Sequence, residues 1–485
     1  MRENVELKIV EVKAGDEEII YNFCDGLDYF PSAIMHDVID NDFGKVFLLY
    51  RNDEVVGIID YWITFDSSTL AMIYIDEKYR RLGYAKKLMN FMFEDLKNEG
   101  VKFASLEVRE HNLSAKSLYL SLGYEFINVK EQYYKDGEDA LYYVKNIEPS
   151  PLILAIESSC DETSIAITRN KKILSNVISS QIEKHRVYGG VMPELASRLH
   201  IENILYVLET ALKDASVMLE EIDAIAFTRG PGLVGALHVG LEVAKTLSYI
   251  YDIPLIPVHH LAGHIYANEY VTELKFPLLA VVVSGGNSEL VIMRDHLQFD
   301  IIGRTVDDAI GECYDKVARV MGLPYPGGVE IDRLAKKGRA TYKLPVPHTQ
   351  GLYDLSFSGL KTHIINLVNS LNMKGETLNK EDLACSFQEV ALAEIVKKVE
   401  LAAKNFNVKQ ILVAGGVSAN SRLKEMLHNI YDNSCIELFF PPLSLCGDNA
   451  AMIARFAHHL YLKGVHASLD VGVDPNWEIT DFNDF

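Results

Sequence analysis

A chain of 485 residues that is 48% hydrophobic and 24% charged describes a soluble globular protein too long for one hydrophobic core, so two or three domains are expected. Its 47 Lys and Arg against 68 Asp and Glu leave a net charge of -21, which argues against any partner held mainly by a broad phosphate-neutralising surface. A nucleic acid would need a local basic patch or a helper subunit. Met1 to Asn4 opens no signal peptide, and the longest apolar runs, such as Leu278 to Val283, are far below membrane-spanning length. Cys24, Cys160, Cys313, Cys385, Cys435 and Cys446 form no CxxC pair and show no regular spacing, so neither a disulfide framework nor a thiolate zinc site is suggested and a reducing cytoplasm is expected.

In chain order, Val46 to Tyr50, a turn at Arg51 to Glu54, and Val55 to Ile63 read as a hairpin. Leu70 to Ile75 reads as a further strand. Leu88, Met89, Met92, Phe93 and Leu96 recur at helical spacing between Ala85 and Lys97. Between these two elements, Tyr79-Arg80-Arg81-Leu82-Gly83-Tyr84-Ala85 puts arginines and a glycine turn at a helix N-terminus, which offers backbone N–H groups and positive charge to a pyrophosphate. Further on stand Leu106-Glu107-Val108-Arg109-Glu110-His111-Asn112, Ala115 to Tyr119, Leu122 to Phe126, and Gln132 to Ala140. This run resembles the GNAT acetyltransferases, in particular the RimI-like enzymes that acetylate the N-terminal alanine of a small-subunit ribosomal protein. The resemblance covers roughly residues 5 to 145. It implies a GNAT fold, acetyl-CoA as co-substrate, Glu107 as general base and Tyr119 as general acid. It also implies that Ile73, Tyr74, Ile75, Arg80, Arg81, Leu82, Gly83, Tyr84, Ala85 and Asn112 hold the cofactor, with Ala85 standing where many relatives have a second glycine. A non-catalytic acyl-CoA-binding module is the alternative for this piece.

Around Asn146 to Pro151 the text changes to a buried-strand pattern, and two prolines flanking a serine make a stiff connector. A domain boundary is expected at 148/149. The smaller piece carries -11 and the larger -10, so acidity is denser in the smaller. In the larger piece, Leu152 to Ser159 followed by Ser164 to Ile167 is echoed by Leu278 to Gly286 followed by Leu290 to Ile292. Ile225 to Phe227 leading into Arg229 to Gly232 is likewise echoed by Ile411 to Ala414 leading into Gly415 and Gly416. This repeat predicts an α/β domain duplicated as two lobes, about 151–277 and 278–485, similar to the actin, sugar-kinase and Hsp70-ATPase (ASKHA) architecture.

His260 and His264 are four apart, on one face if the segment is helical. Leu261 occupies the place of the glutamate that an HExxH protease needs. Two imidazoles need a third ligand, for which Asp448 at a predicted helix start is the candidate; such a set suits iron or zinc. Glycine turns at Thr228 to Gly232, Ser284 to Ser288, Pro326 to Gly328 and Gly415 to Asn420 follow or precede apolar strands and allow close approach to a nucleotide. Asp315 and Asp332 could accept ribose hydroxyls.

The segments Ile156 to Thr163, Tyr188 to Arg198, Gly230 to Leu237 and Phe357 to Thr362, with those above, closely resemble the TsaD family of tRNA adenosine threonylcarbamoyltransferases, from about Leu152 to Trp477. The resemblance implies transfer of threonylcarbamoyl from threonylcarbamoyl-AMP to N6 of adenosine 37 in tRNAs reading ANN codons. It implies one divalent metal, iron rather than zinc, on His260, His264 and Asp448. It places Val283, Ser284, Gly285, Gly286, Asn287, Asp315, Gly328, Asp332 and Asn420 around the adenylate, Asn287 replacing a histidine common in that turn. Implied partners are the tRNA anticodon loop, TsaB-like and TsaE-like proteins, and a ribosomal-protein N-terminus, with no membrane. An ASKHA-fold ATPase or kinase is the alternative.

Overall fold

The computed structural model describes residues 6–13, 15–24, 34, 37, 41, 43–147 and 150–484. The chain divides into two compact units, Met1–Ser150 and Pro151–Phe485. The expected boundary residues Glu148 and Pro149 lie outside the described residues.

The first unit is a seven-stranded sheet built from β1 (Leu7–Glu11), β2 (Gly44–Arg51), β3 (Glu54–Thr64), β4 (Ser67–Ile75), β5 (Phe103–Arg109), β6 (Glu125–Lys130) and β7 (Ala140–Asn146), in the order β1-β2-β3-β4-β5-β7-β6. All pairings are antiparallel except β4 with β5. The hairpin expected at 46–63 is β2 and β3, and the helix expected from Ala85 is Tyr84–Asn98. Gly83, left-handed at φ +85°, caps that helix. Its inward face, Leu88, Met89, Met92 and Leu96, packs on Ile59, Tyr61 and Leu106.

Two irregularities open this sheet. A bulge near Asp60 and Tyr61 shifts the β3–β4 register, and the parallel β4–β5 pairing stops at Leu70 and Leu106 although both strands run on, to Ile75 and Arg109. One edge of the β4 backbone past Leu70 is thus released from β5.

The second unit holds two five-stranded sheets of matching strand order. The first is β10-β9-β8-β11-β12, from β8 (Leu152–Glu157), β9 (Glu162–Arg169), β10 (Lys172–Ser180), β11 (Ala224–Gly230) and β12 (Leu255–His259). The second is β15-β14-β13-β16-β17, from β13 (Leu278–Val283), β14 (Ser288–Asp295), β15 (Gln298–Arg304), β16 (Gln410–Ala414) and β17 (Glu437–Phe439). β8 and β13 are buried at every position, which is why they read as unbroken apolar runs. Alternate residues serve different cores: Leu152, Leu154 and Ile156 face the helices Pro193–Ala215 and Val234–Tyr251, whereas Ile153 and Ala155 share a core with Ala280 and Val282 of the other sheet. Between the sheets lie two helices, His260–Tyr266 and Ala450–Leu462, packed on each other. The 277/278 division therefore separates the strands but not the helices, since Ala450–Leu462 returns to pack on β8, β9, β11 and β12.

Candidate active sites

The released edge of β4 borders a cleft of about 1520 Å³ in the first unit. Ile73, Tyr74, Ile75, Arg80, Arg81, Gly83, Tyr84, Ala85, Asn112, Glu107 and Tyr119 all line it. Leu82 does not; its side chain is exposed. The first N–H groups of Tyr84–Asn98 have no earlier carbonyl within the helix to bond, which suits an anionic ligand. Arg80 is tied by its Nε to the Ile75 carbonyl at 3.1 Å. Asn112 caps the helix Leu113–Ser121 by accepting from the Ala115 N–H at 3.1 Å. Glu107 accepts from Lys130 Nζ at 2.6 Å, and that ammonium also lies over the Tyr142 ring. Lys130 escaped sequence reasoning because it arrives from β6, a strand separated from β5 by β7.

In the second unit the three proposed metal ligands converge. His260, His264 and Asp448 each offer one atom, all within 4.8 Å of one another. His264 Nε2 lies 3.1 Å and His260 Nε2 3.5 Å from Asp448 Oδ1. Both histidines sit on His260–Tyr266, and Asp448 immediately precedes Asn449, the N-cap of Ala450–Leu462, so the two central helices bring them together. The other nitrogen of His260, Nδ1, faces Glu157 Oε2 at 3.1 Å and Ser159 Oγ at 3.2 Å. Glu157 is fully buried at the end of β8 and also accepts from the Ser159 N–H and the Thr228 hydroxyl, each at 2.6 Å. A carboxylate behind a histidine leaves the opposite nitrogen for a cation, so the set fits a divalent ion. Burial disfavours charge on His260, but Asp448 and Glu157 outweigh it and raise the imidazole to about 9. Burial likewise opposes ionisation of Asp448, yet His260 and His264 hold it down at about 2. A cation at this place would displace the His260 proton. Glu157 was legible as the one charge closing an apolar strand.

The adenylate candidates form a chain of contacts. The turn after β13 is closed by Ser284 N–H donating to the Asn287 carbonyl at 2.9 Å, and added Cβ atoms at Gly285 or Gly286 would meet nothing within 4 Å. Gly415, at φ +87°, has no room for one: a Cβ there would lie 2.5 Å from the Val283 carbonyl oxygen, so the β16 turn presses on the β13 turn. The helix Ile310–Val320 begins against Ser284, and its Asp315 accepts from the Gly327 N–H at 2.7 Å. Burial lifts Asp315 to about 6. Gly328 is open, Asp332 accepts from the Ser421 hydroxyl at 2.9 Å, and Asn420 caps Ser421–Tyr431 through the Arg422 and Leu423 N–H groups. Asp315, Asp332 and Asn420 thus each hold a helix start.

A second group, Glu269, His296 and His459, also has ligand atoms within 4.8 Å. Here Arg455 Nε already donates to Glu269 Oε2 at 2.7 Å, so the cation is the protein's own.

A family profile described as TsaD: tRNA N6-adenosine threonylcarbamoyltransferase matches residues 172–455, and one described as Acetyltransferase (GNAT) family matches 17–124. The tRNA N6-adenosine threonylcarbamoyltransferase of Bacillus licheniformis is 52% identical over 333 residues, covering 68% of this chain and 98% of the relative. That of Listeria monocytogenes is 50% identical over 339 residues, covering 69% and 98%. Among solved structures, the ribosomal-protein-S18-alanine N-acetyltransferase from Escherichia coli is 25% identical, covers 29% of this chain and 94% of its own, and superposes with a TM-score of 0.27. Ard1 from Thermoplasma volcanium is 22% identical, covering 29% and 97%, with a TM-score of 0.26. The chain belongs to the TsaD family of tRNA N6-adenosine threonylcarbamoyltransferases, and it joins to that enzyme a domain of the GNAT acetyltransferase family, which makes it an acyltransferase.

Proposed function

We propose that the second unit transfers threonylcarbamoyl from threonylcarbamoyl-AMP to N6 of adenosine 37 in tRNAs reading ANN codons, on an actin/Hsp70-like pair of lobes. The observation that carries this reading is the convergence of His260, His264 and Asp448. When bound there, a divalent metal, iron in preference to zinc, would supply a positive charge that orients donor oxygens. Glu157 and Ser159 fix the His260 ring. Gly285, Gly286 and Gly328 leave backbone accessible to the adenylate, whose ribose meets Asp315 or Asp332. An aromatic amine is a weak nucleophile, so alignment of N6 against the donor carbonyl carries the rate, and the target base must leave its stack to reach it.

The first unit acetylates the N-terminal alanine of a small-subunit ribosomal protein. Acetyl-CoA lies along the free β4 edge with its pyrophosphate at Arg80 to Ala85, Glu107 takes the ammonium proton and Tyr119 returns one to the thiolate. The boundary between the two activities falls at 148/149. With a charge of -21, tRNA binding calls for TsaB-like and TsaE-like partners in the cytoplasm. The test is reconstitution with threonine, bicarbonate, ATP, the adenylate-forming enzyme, tRNA and partners, read by nucleoside mass. Threonylcarbamoyladenosine forms with the native chain and not with His260→Ala; equal product from both refutes the assignment.

A further inference from the structure

The acetyltransferase cleft holds carboxylates that neither the cofactor nor the general base accounts for. Asp60 and Asp37 both line it, and they are 3% and 7% exposed. Asp60 sits on β3 between Val46 of β2 and Met72 of β4, on the sheet face opposite Ile59 and Tyr61, which pack against the helix Tyr84–Asn98. Glu107 projects from that same face, because its neighbours Leu106 and Val108 join the core under the helix. Asp60 Oδ1 has no hydrogen-bond partner and its carboxyl makes no ion pair among the described residues, while a hydrogen bond links it to Asp37. Burial, and then the charge of Asp37, lift Asp60 to about 8, and a cation arriving at this buried carboxyl would favour its charged form. Leaving an acceptor in a buried site without a partner is costly, and a charge-bearing ligand group removes that cost.

The rest of the cleft narrows what that group is. Positive charge in the cleft lies at Arg80, Arg81 and Lys86, where the cofactor's pyrophosphate is placed, and at Arg109, which is paired with Asp136 and Glu138, while Glu107 already has Lys130. Asp60 and Glu107 stand on β3 and β5, either side of β4, and because β4 is released from β5 at this level they lie farther apart than two paired-strand spacings, roughly 10 Å. A peptide advances at most ~3.6 Å per residue, so an acceptor whose terminal amine is at Glu107 brings the charged tip of its second side chain to that range.

We propose that Asp60, backed by Asp37, is a specificity residue of the acetyltransferase that receives the ammonium or guanidinium of a basic side chain next to the amine being acetylated. This rests on the acetyltransferase reading and on the placement of the reacting amine at Glu107, and it adds the second residue of the acceptor. The contact is made equally in the bound and reacting states, so it acts on KM and not on kcat.

The experiment uses the full-length chain, acetyl-CoA, and peptides beginning Ala-Arg, Ala-Gln, Ser-Arg and Ser-Gln but otherwise identical, with CoA release followed. For the native protein, KM is about tenfold or more lower for Arg than for Gln at the second position, at equal kcat. Asp60→Asn, of the same shape, abolishes that preference with kcat unchanged and the unfolding midpoint no lower, and Asp37→Asn reduces it. A preference that survives Asp60→Asn, a native enzyme indifferent to the second residue, or one that acetylates none of the four overturns the proposal. A second-residue preference seen with Ser-first peptides and no advantage for Ala-first ones sinks the alanine assignment and leaves Asp60 in its role.

Discussion

His260 answers to two carboxylates, one on each ring nitrogen, and only one of them is a proposed metal ligand. Replacing Glu157 with glutamine removes the acceptor that orients the ring, so metal affinity drops about 10- to 100-fold while the fold persists. Metal content after dialysis, read alongside tRNA product, checks this; full retention of metal would show Glu157 to be idle. Arg455 poses the opposite case. Burial works against the Glu269 charge, but Arg455 and His459 hold that carboxylate well below its usual range, and both ion-pair partners are buried. Arg455→Leu leaves the buried carboxylate with His459 alone and should cost about 3 kcal/mol, visible as a lower urea midpoint.

At the scale of elements, the helix Lys380–Phe406 starts with Asn379 accepting from the Asp382 N–H at 3.1 Å. Asn379→Ala should lower stability by about 1 kcal/mol and leave both activities intact. The elements were legible where periodicity is forced by burial: β8 and β13 read as strands because both faces are covered, and Tyr84–Asn98 because one face is. The pairing of His260 with His264 was legible because helical spacing is local. Lys130 against Glu107 and Asp60 against Asp37 were not, since strand order and a bulge decide which residues meet, and neither leaves a local signature. The return of Ala450–Leu462 to the first sheet was hidden for the same reason: a linear division into halves assumes that a helix stays with its own strands.

For the molecule as a whole, the two reaction sites sit in separate units, so Glu107→Gln should abolish acetylation and leave threonylcarbamoyladenosine formation at its native rate. Parallel assays of the one variant decide this. Acid sensitivity belongs to the second unit. Burial pushes His259 down to about 3, and burial with the charge of His459 pushes His296 down to about 4, whereas an ordinary histidine titrates near 6.5. Between these values the unfolded chain binds more protons than the folded one. Stability from these groups is therefore complete above about pH 6.5 and falls as the pH drops toward 4, by up to ~1.4 kcal/mol per pH unit for His259. His260, raised to about 9, does not offset this, because its contribution is already complete below 6.5. Asp315, lifted to about 6, takes up a proton in the folded state over part of the same range and acts in the opposite sense, so the effect is read as a difference. The loss of thermal midpoint between pH 6.5 and 4.5 should be smaller in metal-free His296→Gln than in the metal-free native chain, and equal losses would contradict it.

The helix that closes the space between the two sheets is also the last long helix of the chain, and Asp448 stands two residues before it. During synthesis the apolar inner faces of β8 and β11 emerge from the ribosome more than two hundred residues before their cover does, by the positions of those strands. The nascent protein must stay uncommitted, or sheltered by a chaperone, until that final segment is released. Premature termination after Cys446 should thus yield aggregate in place of an inactive but soluble enzyme, because a single late stretch supplies both the core's lid and the third proposed metal ligand.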